Sequence, residues 1–323
     1  VSLLEVKNLS MHYWTRKGEV KAVDDVSFTI EKGEAIGLVG ESGCGKTSMA
    51  LTLLKLLPEN AKILQGSILF SREGATLDLV RLREDEMQRV RWKGIAMIFQ
   101  AAMNSWNPVY RVGDQIIEAM QQHKRGLRVQ DAKKRIADLF QMVGLDSQMM
   151  ERYPHEYSGG MKQRAVIAMA LSCEPDLIIA DEPTTALDVI VQDKILRELR
   201  QIQKKLQMSM IYISHDIAVI AEVADRIGVM YGGKLVEMAE TESIFRRPVH
   251  PYTQALMSSF PNLRGEKKRL ETLPGEPPDL INPPSGCRFH PRCRYGTELC
   301  KTQDPRLRVH REKQQAACWN PLP

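Results

Sequence analysis

The chain has 323 residues, of which 43% are hydrophobic and 26% charged, with a formal net charge of +5. That length suits one large domain or a main domain with an appendage, and the balance is that of a globular protein rather than a disordered or fibrous one. No run of eighteen apolar residues occurs, so no membrane-spanning helix is expected.

The charge is uneven. From Arg246 onward there are 14 Lys and Arg against 7 Asp and Glu, a surplus that suits nucleic acid, an anionic surface or plain solvation. At the other end, VSLLEVKNLSMHYW has no basic segment ahead of an apolar core. No secretory signal is expected there, and with it a cytoplasmic setting in which thiols stay reduced.

In chain order, AIGLVG (35–40) reads as a short buried strand. It runs into Gly40, four residues, then Gly45-Lys46-Thr47, the spacing G-x-x-x-x-G-K-[ST]. Glycines let successive N–H groups curl round phosphate oxygens where a Cβ would obstruct. Lys46 brings a cation to the β- and γ-phosphates, and the Thr47 hydroxyl suits Mg²⁺. Gly40, Ser42, Gly43, Cys44, Gly45, Lys46, Thr47 and Ser48 are therefore the expected ATP contacts. The helix predicted to begin there places Met49, Leu53, Leu56 and Leu57 on its apolar face and stops at Pro58.

Further on, the apolar run IAMIFQ ends at Gln100. YSGGMKQRAVIAMAL (157–171) sets Ser158, Gly159 and Gly160 at a helix start, where free N–H groups favour an anion. A second buried strand, PDLIIADEP, ends in Asp181 and Glu182, the first suited to Mg²⁺ and the second to polarising water. TTALD follows, with Asp188. The next helix is expected to bury Ile195, Leu199, Ile202 and Leu206 on one face. A third strand, SMIYIS, leads to His215, placed to hydrogen-bond a γ-phosphate.

The tail has little to pack. From Ile281 to Pro323 the only aliphatic residues are Ile281, Leu299, Leu307, Val309 and Leu322, a core so small that a staple is expected. Reduced thiols would supply it as metal ligands: Cys287, Cys293, Cys300 and Cys318. Their spacing contains no close zinc-type pair and matches no usual ferredoxin run, which leaves the metal open. Cys44 and Cys173 are given no metal role, and His290 and His310 are expected at the surface.

Taken in order, the cradle, YSGGM, the acidic pair, TTALD and His215 resemble the nucleotide-binding subunits of ABC transporters. The resemblance implies that Gln100 senses Mg²⁺ and water and links to the membrane subunit. It also implies that Tyr13, in a register shared with His12 and Trp14, stacks on adenine, and that the Asp188 loop crosses a dimer interface. Two departures stand out: Ala101-Ala102 follow the glutamine in place of an acid and proline, and Met161 closes the signature in place of glutamine. RRPVHPYTQALMSSFP (246–261) and NPVYRVGDQI (107–116) are similar to the oligopeptide and dipeptide importer ATPases, D-type.

That likeness implies an α/β fold: a P-loop ABC ATPase core with a RecA-like parallel sheet, an antiparallel β subdomain and a helical signature subdomain. Residues 1–240 would be the nucleotide-binding domain, its helical part at about 101–165. Residues 241–323 would be a small accessory domain with a [4Fe–4S] cluster on the four cysteines, zinc being the alternative. The implied activity is ATP hydrolysis, with Glu182, His215 and Gln100 as the catalytic set. It would drive import of di- or oligopeptides, or of a related solute such as oligosaccharide or nickel. The implied partners are a second homologous ATPase in a heterodimer, two permease subunits and an extracellular solute-binding protein, at the cytoplasmic face of the membrane. The alternative is a soluble ABC ATPase acting on ribosomes or nucleic acid. A single core without coiled-coil tracts speaks against it, and no nucleic-acid partner is expected.

Overall fold

Long amino-terminal strands, short buried central strands and helices between them make up the chain. A computed structural model describes residues 2–124, 126–185, 187–259 and 273–323. Ala186 of TTALD and residues 260 and 261 of the quoted 246–261 stretch lie outside the described residues. Two units can be distinguished, one of Ser2–Ile30, Ala35–Arg81 and Ile213–Pro323, the other of Glu31–Glu34 and Leu82–Tyr212.

The first unit opens with β1 (Ser2–Thr15), β2 (Gly18–Glu31) and β3 (Ala35–Val39), followed by α1 (Lys46–Leu53), β4 (Ala61–Arg72) and β5 (Ala75–Asp78). β1 pairs antiparallel with β4, and the four-stranded sheet runs β2-β1-β4-β5. β3 is buried throughout, as a strand covered on both faces must be. α1 is shorter than its apolar pattern predicts. Lys55 adopts φ 50, its N–H bonds Thr52 O at 3.1 Å, and Leu56 N–H bonds Leu51 O at 2.9 Å. These are the two bonds of a Schellman end, which stops the helix before Pro58. Leu56 is consequently exposed and Leu57 half-buried, not core.

The second unit contains α2 (Glu84–Val90), β6 (Ile95–Ile98), α3 (Val112–His123), α4 (Val129–Met142), α5 (Gly159–Leu171), β7 (Leu177–Asp181), α6 (Val189–Leu206) and β8 (Ser209–Ser214), the last belonging to it as far as Tyr212. β6 and β7 are parallel, from Ile95 opposite Leu177 to Ile98 opposite Ala180. α3 and α4 bury Ile116, Met120, Ile136, Leu139 and Phe140. α6 buries Ile195, Leu199 and Ile202 as expected, whereas Leu206 is 40% exposed. The buried end of that face is Gln203 instead, whose amide donates to Gly33 O at 2.7 Å and Met208 O at 2.9 Å.

The chain then returns to the first unit with α7 (Ile217–Val223), β9 (Arg226–Tyr231), β10 (Lys234–Glu240), α8 (Thr241–Arg246), α9 (Pro251–Ser258), α10 (Glu298–Thr302), β11 (Arg308–Arg311) and β12 (Gln314–Ala316). β3 and β9 are parallel. Beyond β9 the strands become antiparallel, in the order β3-β9-β10-β12-β11. The tail therefore continues the sheet that carries β3.

Aromatic packing also anchors it. Phe289, 2% exposed, meets Tyr231 edge-on with ring centroids 5.2 Å apart and Tyr252 at 5.3 Å. Arg288 donates to Gly232 O and pairs with Asp24. The fully buried Glu237 of β10 accepts N–H bonds from Val249 and His250, both 2.9 Å, and from the Gln314 amide at 2.8 Å. Among the described residues no helix is long and apolar enough to cross a membrane.

Because Phe289 is the tail's main apolar anchor, Phe289→Ala should cost about 3 kcal/mol and expose the tail to proteolysis. Urea unfolding checks the loss, and a change below about 0.5 kcal/mol would show that the anchor lies elsewhere.

Candidate functional site

In the first unit the loop between β3 and α1 is shaped by contacts that only glycine permits. Gly40 has φ 151, and a Cβ there would sit 2.2 Å from Met230 O. Gly45 has φ 103, and its Cβ would sit 2.1 Å from Ala22 O. Gly45 is also the N-cap of α1 and offers no side-chain cap, so no side chain competes for the helix's leading N–H groups. Lys46 is 7% exposed, and its Nζ donates to Gly40 O at 2.7 Å and Glu41 O at 2.9 Å, with Cys44 Sγ at 3.4 Å. A cation thus lies inside a turn of backbone, while Ser42, Gly43 and Thr47 are exposed around it. Burial pushes the Cys44 thiol pKa up, which keeps it inert.

Of the three neighbouring rings, Tyr13 is the one that touches the helix after the loop. Its hydroxyl donates to Ser48 Oγ at 3.2 Å, one residue past Thr47. His12 is buried with Nδ1 2.9 Å from Glu19, and Trp14 is 40% exposed beneath Lys62. His215 is exposed just beyond β8, ahead of Asp216, which caps α7 by accepting from Ala218 N–H at 2.9 Å.

In the second unit Gln100 and Glu182 come together. Gln100 Nε2 donates to Glu182 Oε2 at 2.8 Å, and the Thr185 hydroxyl donates to the same oxygen at 2.9 Å. Glu182 has φ 45, a left-handed conformation rare for a residue with a side chain and often kept at functional positions. Asp181 beside it, at the end of β7, is 1% exposed. Ser158 caps α5 by accepting from Met161 N–H at 3.3 Å. Gly159 and Gly160 form the first turn, and a Cβ at Gly160 would lie 3.1 Å from Val191 of α6. α6 is itself capped by Asp188, which accepts from Val191 N–H at 3.0 Å. Sequence reasoning did not single out Thr185, although its place three residues after Glu182 is the spacing at which a hydroxyl reaches back.

The tail cysteines are free thiols. Burial pushes Cys287 up to about 12; the Phe289 N–H opposes this, and Cys300, Cys318 and Cys293 add to the rise. Burial likewise raises Cys318 to about 11, opposed by the Asn320 N–H, and raises Cys293, opposed by the Tyr295 N–H. The Thr297 hydroxyl lies 3.4 Å from Cys300 Sγ. Four cysteines in one tail are a donor set of the chemical type that ligates iron or zinc, although burial favours the neutral thiol at Cys287, Cys293 and Cys318. Among the described residues, no three His, Cys, Asp or Glu side chains are arranged to hold a metal ion. His290 Nδ1 lies 2.9 Å from Cys287 O and His310 Nε2 3.1 Å from Ala316 O, both half-buried rather than at the open surface.

Comparison with known proteins places the chain in a family. The ABC transporter family matches residues 23–185, and the oligopeptide/dipeptide transporter C-terminal region matches residues 236–300. The chain is 44% identical to the dipeptide transport ATP-binding protein DppD of Bacillus subtilis, over 98% of this chain and 94% of that one. It is 47% identical to the oligopeptide transport ATP-binding protein OppD of the same organism, over 94% and 84%. It is 40% identical to DppD of Escherichia coli, over 100% and 98%. Among solved structures, a dimeric ATP-binding cassette in a post-hydrolysis state bound to ADP and Pi matches with a TM-score of 0.64 and 26% identity, over 74% of this chain and 98% of that one.

The loop geometry predicts different outcomes for its glycines. Gly43→Ala, with nothing within 4 Å of its Cβ, should cost only the left-handed penalty of about 1 kcal/mol. Gly45→Ala drives a Cβ into Ala22 O and should cost about 3 kcal/mol or more. Equal costs in thermal unfolding would contradict the fit described for Gly45.

Proposed function

The chain belongs to the ABC transporter family, with that family's oligopeptide/dipeptide C-terminal region, and from that premise we propose that it is the ATP-hydrolysing subunit of an importer for di- and oligopeptides. The observation that carries the hydrolytic reading is the carboxylate of Glu182, held on one oxygen by both Gln100 and Thr185. Such a grip fixes the orientation of a carboxylate of the kind that polarises an attacking water. Full-length similarity to peptide-transport ATP-binding proteins supports the cargo class. Nothing among these relatives supports action on ribosomes or nucleic acid.

The residues divide the work. The loop from Gly40 to Ser48 cradles the phosphates, with Ser42, Gly43, Gly45 and Thr47 offering backbone N–H groups, while the N–H of Cys44 tightens the turn by donating to Glu41 O at 3.3 Å. Lys46 leaves its carbonyl partners for the β- and γ-phosphates, and Tyr13 stacks on adenine. The Thr47 hydroxyl in the first unit is suited to Mg²⁺, as are Asp181 and Gln100 in the second, and Mg²⁺ when bound neutralises phosphate oxygens. Glu182 takes up the developing charge of the attacking water, and His215 hydrogen-bonds the γ-phosphate. Ser158, Gly159 and Gly160 serve the site of a facing ATPase subunit, and Asp188 begins the helix at that contact. A second, homologous ATPase would complete the pair, with two permease subunits docked near Gln100 and a solute-binding protein outside. The chain would then sit at the cytoplasmic face of the membrane. Domain limits of 1–240 and 241–323, with the helical part at about 101–165, are part of this reading.

Cys287, Cys293, Cys300 and Cys318 would hold a metal centre, a [4Fe–4S] cluster or else zinc. When bound it cross-links the tail. Support comes from the resemblance and from the four free thiols.

Glu182→Gln should keep ATP binding and lower phosphate release by about a hundredfold or more; turnover at the wild-type rate would contradict the role given to Glu182. Anaerobically purified protein should carry iron and acid-labile sulfide, and Cys293→Ser should lose both, whereas Cys173→Ser should not. Zinc without iron would select the alternative, and wild-type metal content in single serine variants at all four positions would remove the site.

A further inference from the structure

Within the loop that cradles phosphate, Glu41 is an anomaly: a carboxylate beside the place where a triphosphate must settle. Unlike charges at a few ångströms interact by several kcal/mol in a partly dry setting, and like charges repel as strongly. This carboxylate is answered from far along the chain. Arg292, whose side chain is 6% exposed, forks onto Glu41, with Nη1 2.7 Å from Oε2 and Nη2 3.0 Å from Oε1. The rest of the guanidinium is fixed as well. Nε donates to Pro274 O at 2.7 Å, Nη1 also reaches the Tyr231 hydroxyl at 3.2 Å, and Cζ lies 5.7 Å from the Tyr231 ring centroid.

The backbone of Glu41 is held independently. Its N–H donates to the hydroxyl of Tyr252, a fully buried residue of α9, at 3.0 Å. Neither grip uses Lys46, which holds the loop through the carbonyls of Gly40 and Glu41 and, more weakly, Cys44 Sγ. When Lys46 turns to phosphate those bonds are lost, while the bonds from Arg292 and Tyr252 can persist.

We propose that Arg292 is a positioning residue for the nucleotide: it neutralises Glu41 inside the phosphate loop and keeps the loop open for the triphosphate. Resting on the reading of the loop as an ATP site, this makes the tail part of the nucleotide-binding apparatus. A charge-neutralising role has a signature that a merely structural contact lacks. Removing the cation leaves a half-buried carboxylate without its partner in the loop that is read as the phosphate site. Removing the carboxylate leaves a cation, and removing both restores neutrality.

The test is calorimetric titration of the full-length chain with ATP in the absence of Mg²⁺, together with thermal unfolding of each variant. Arg292→Met should weaken ATP binding about tenfold. Glu41→Gln should bind at least as tightly as wild type, and the double variant should return to within about threefold of wild type. If Arg292→Met does not fold, Glu41→Gln and Arg292→Lys decide, the latter retaining most of the affinity. Equal weakening by both single changes, with additive loss in the double, would mark a structural contact and overturn the proposal. So would unchanged affinity in Arg292→Met while wild type binds ATP. A wild-type chain that binds no ATP would overturn the reading of the loop itself, and the role of Arg292 with it.

Discussion

The rest of the structure depends on one constraint: a turn of backbone must close round an anion with no side chain in the way. At Gly40 and Gly45 the space for a Cβ is already filled by the carbonyls of Met230 and Ala22. These belong to β9 and β2, so the strands flanking the loop define its curvature. Gly233 N–H adds a bond to Cys44 O at 2.9 Å, and Lys46 occupies the interior through two carbonyls. Each contact fixes an N–H or a charge before any ligand arrives, which lowers the ordering cost of binding.

The carboxy-terminal region touches the same loop, through Arg292 and Glu41. A count of aliphatic residues suggested a segment needing a metal staple to hold together. Sheet continuation through β12, the buried ring of Phe289 and the buried charges of Arg288 and Arg292 show further sources of order. None of these is aliphatic.

Much of the site was legible in the sequence, because phosphate chemistry ties residue types to spacing. Gly40 to Thr47, the Asp181-Glu182 pair and Ser158 to Gly160 each sit where the string put them, at the ends of β3 and β7 and the start of α5. Helix ends were less legible. α1 ends at Lys55 in a left-handed conformation that glycine usually marks, and α6 buries the polar Gln203 where the periodicity favoured Leu206. The hydrogen bond of Tyr13 to Ser48 joins residues 35 positions apart, which no local pattern in the sequence shows. The Arg292–Glu41 pair spans 251 positions, and no local pattern announces such a contact.

The central claim is that hydrolysis by this subunit powers peptide import. The most direct measurement is uptake of a labelled dipeptide into proteoliposomes holding both ATPases and both permeases, with the binding protein supplied on the side opposite ATP. The account predicts accumulation against a gradient with ATP, none with a non-hydrolysable analogue, and none when this subunit is left out. Accumulation that proceeds equally without this subunit, or without hydrolysis, would contradict it.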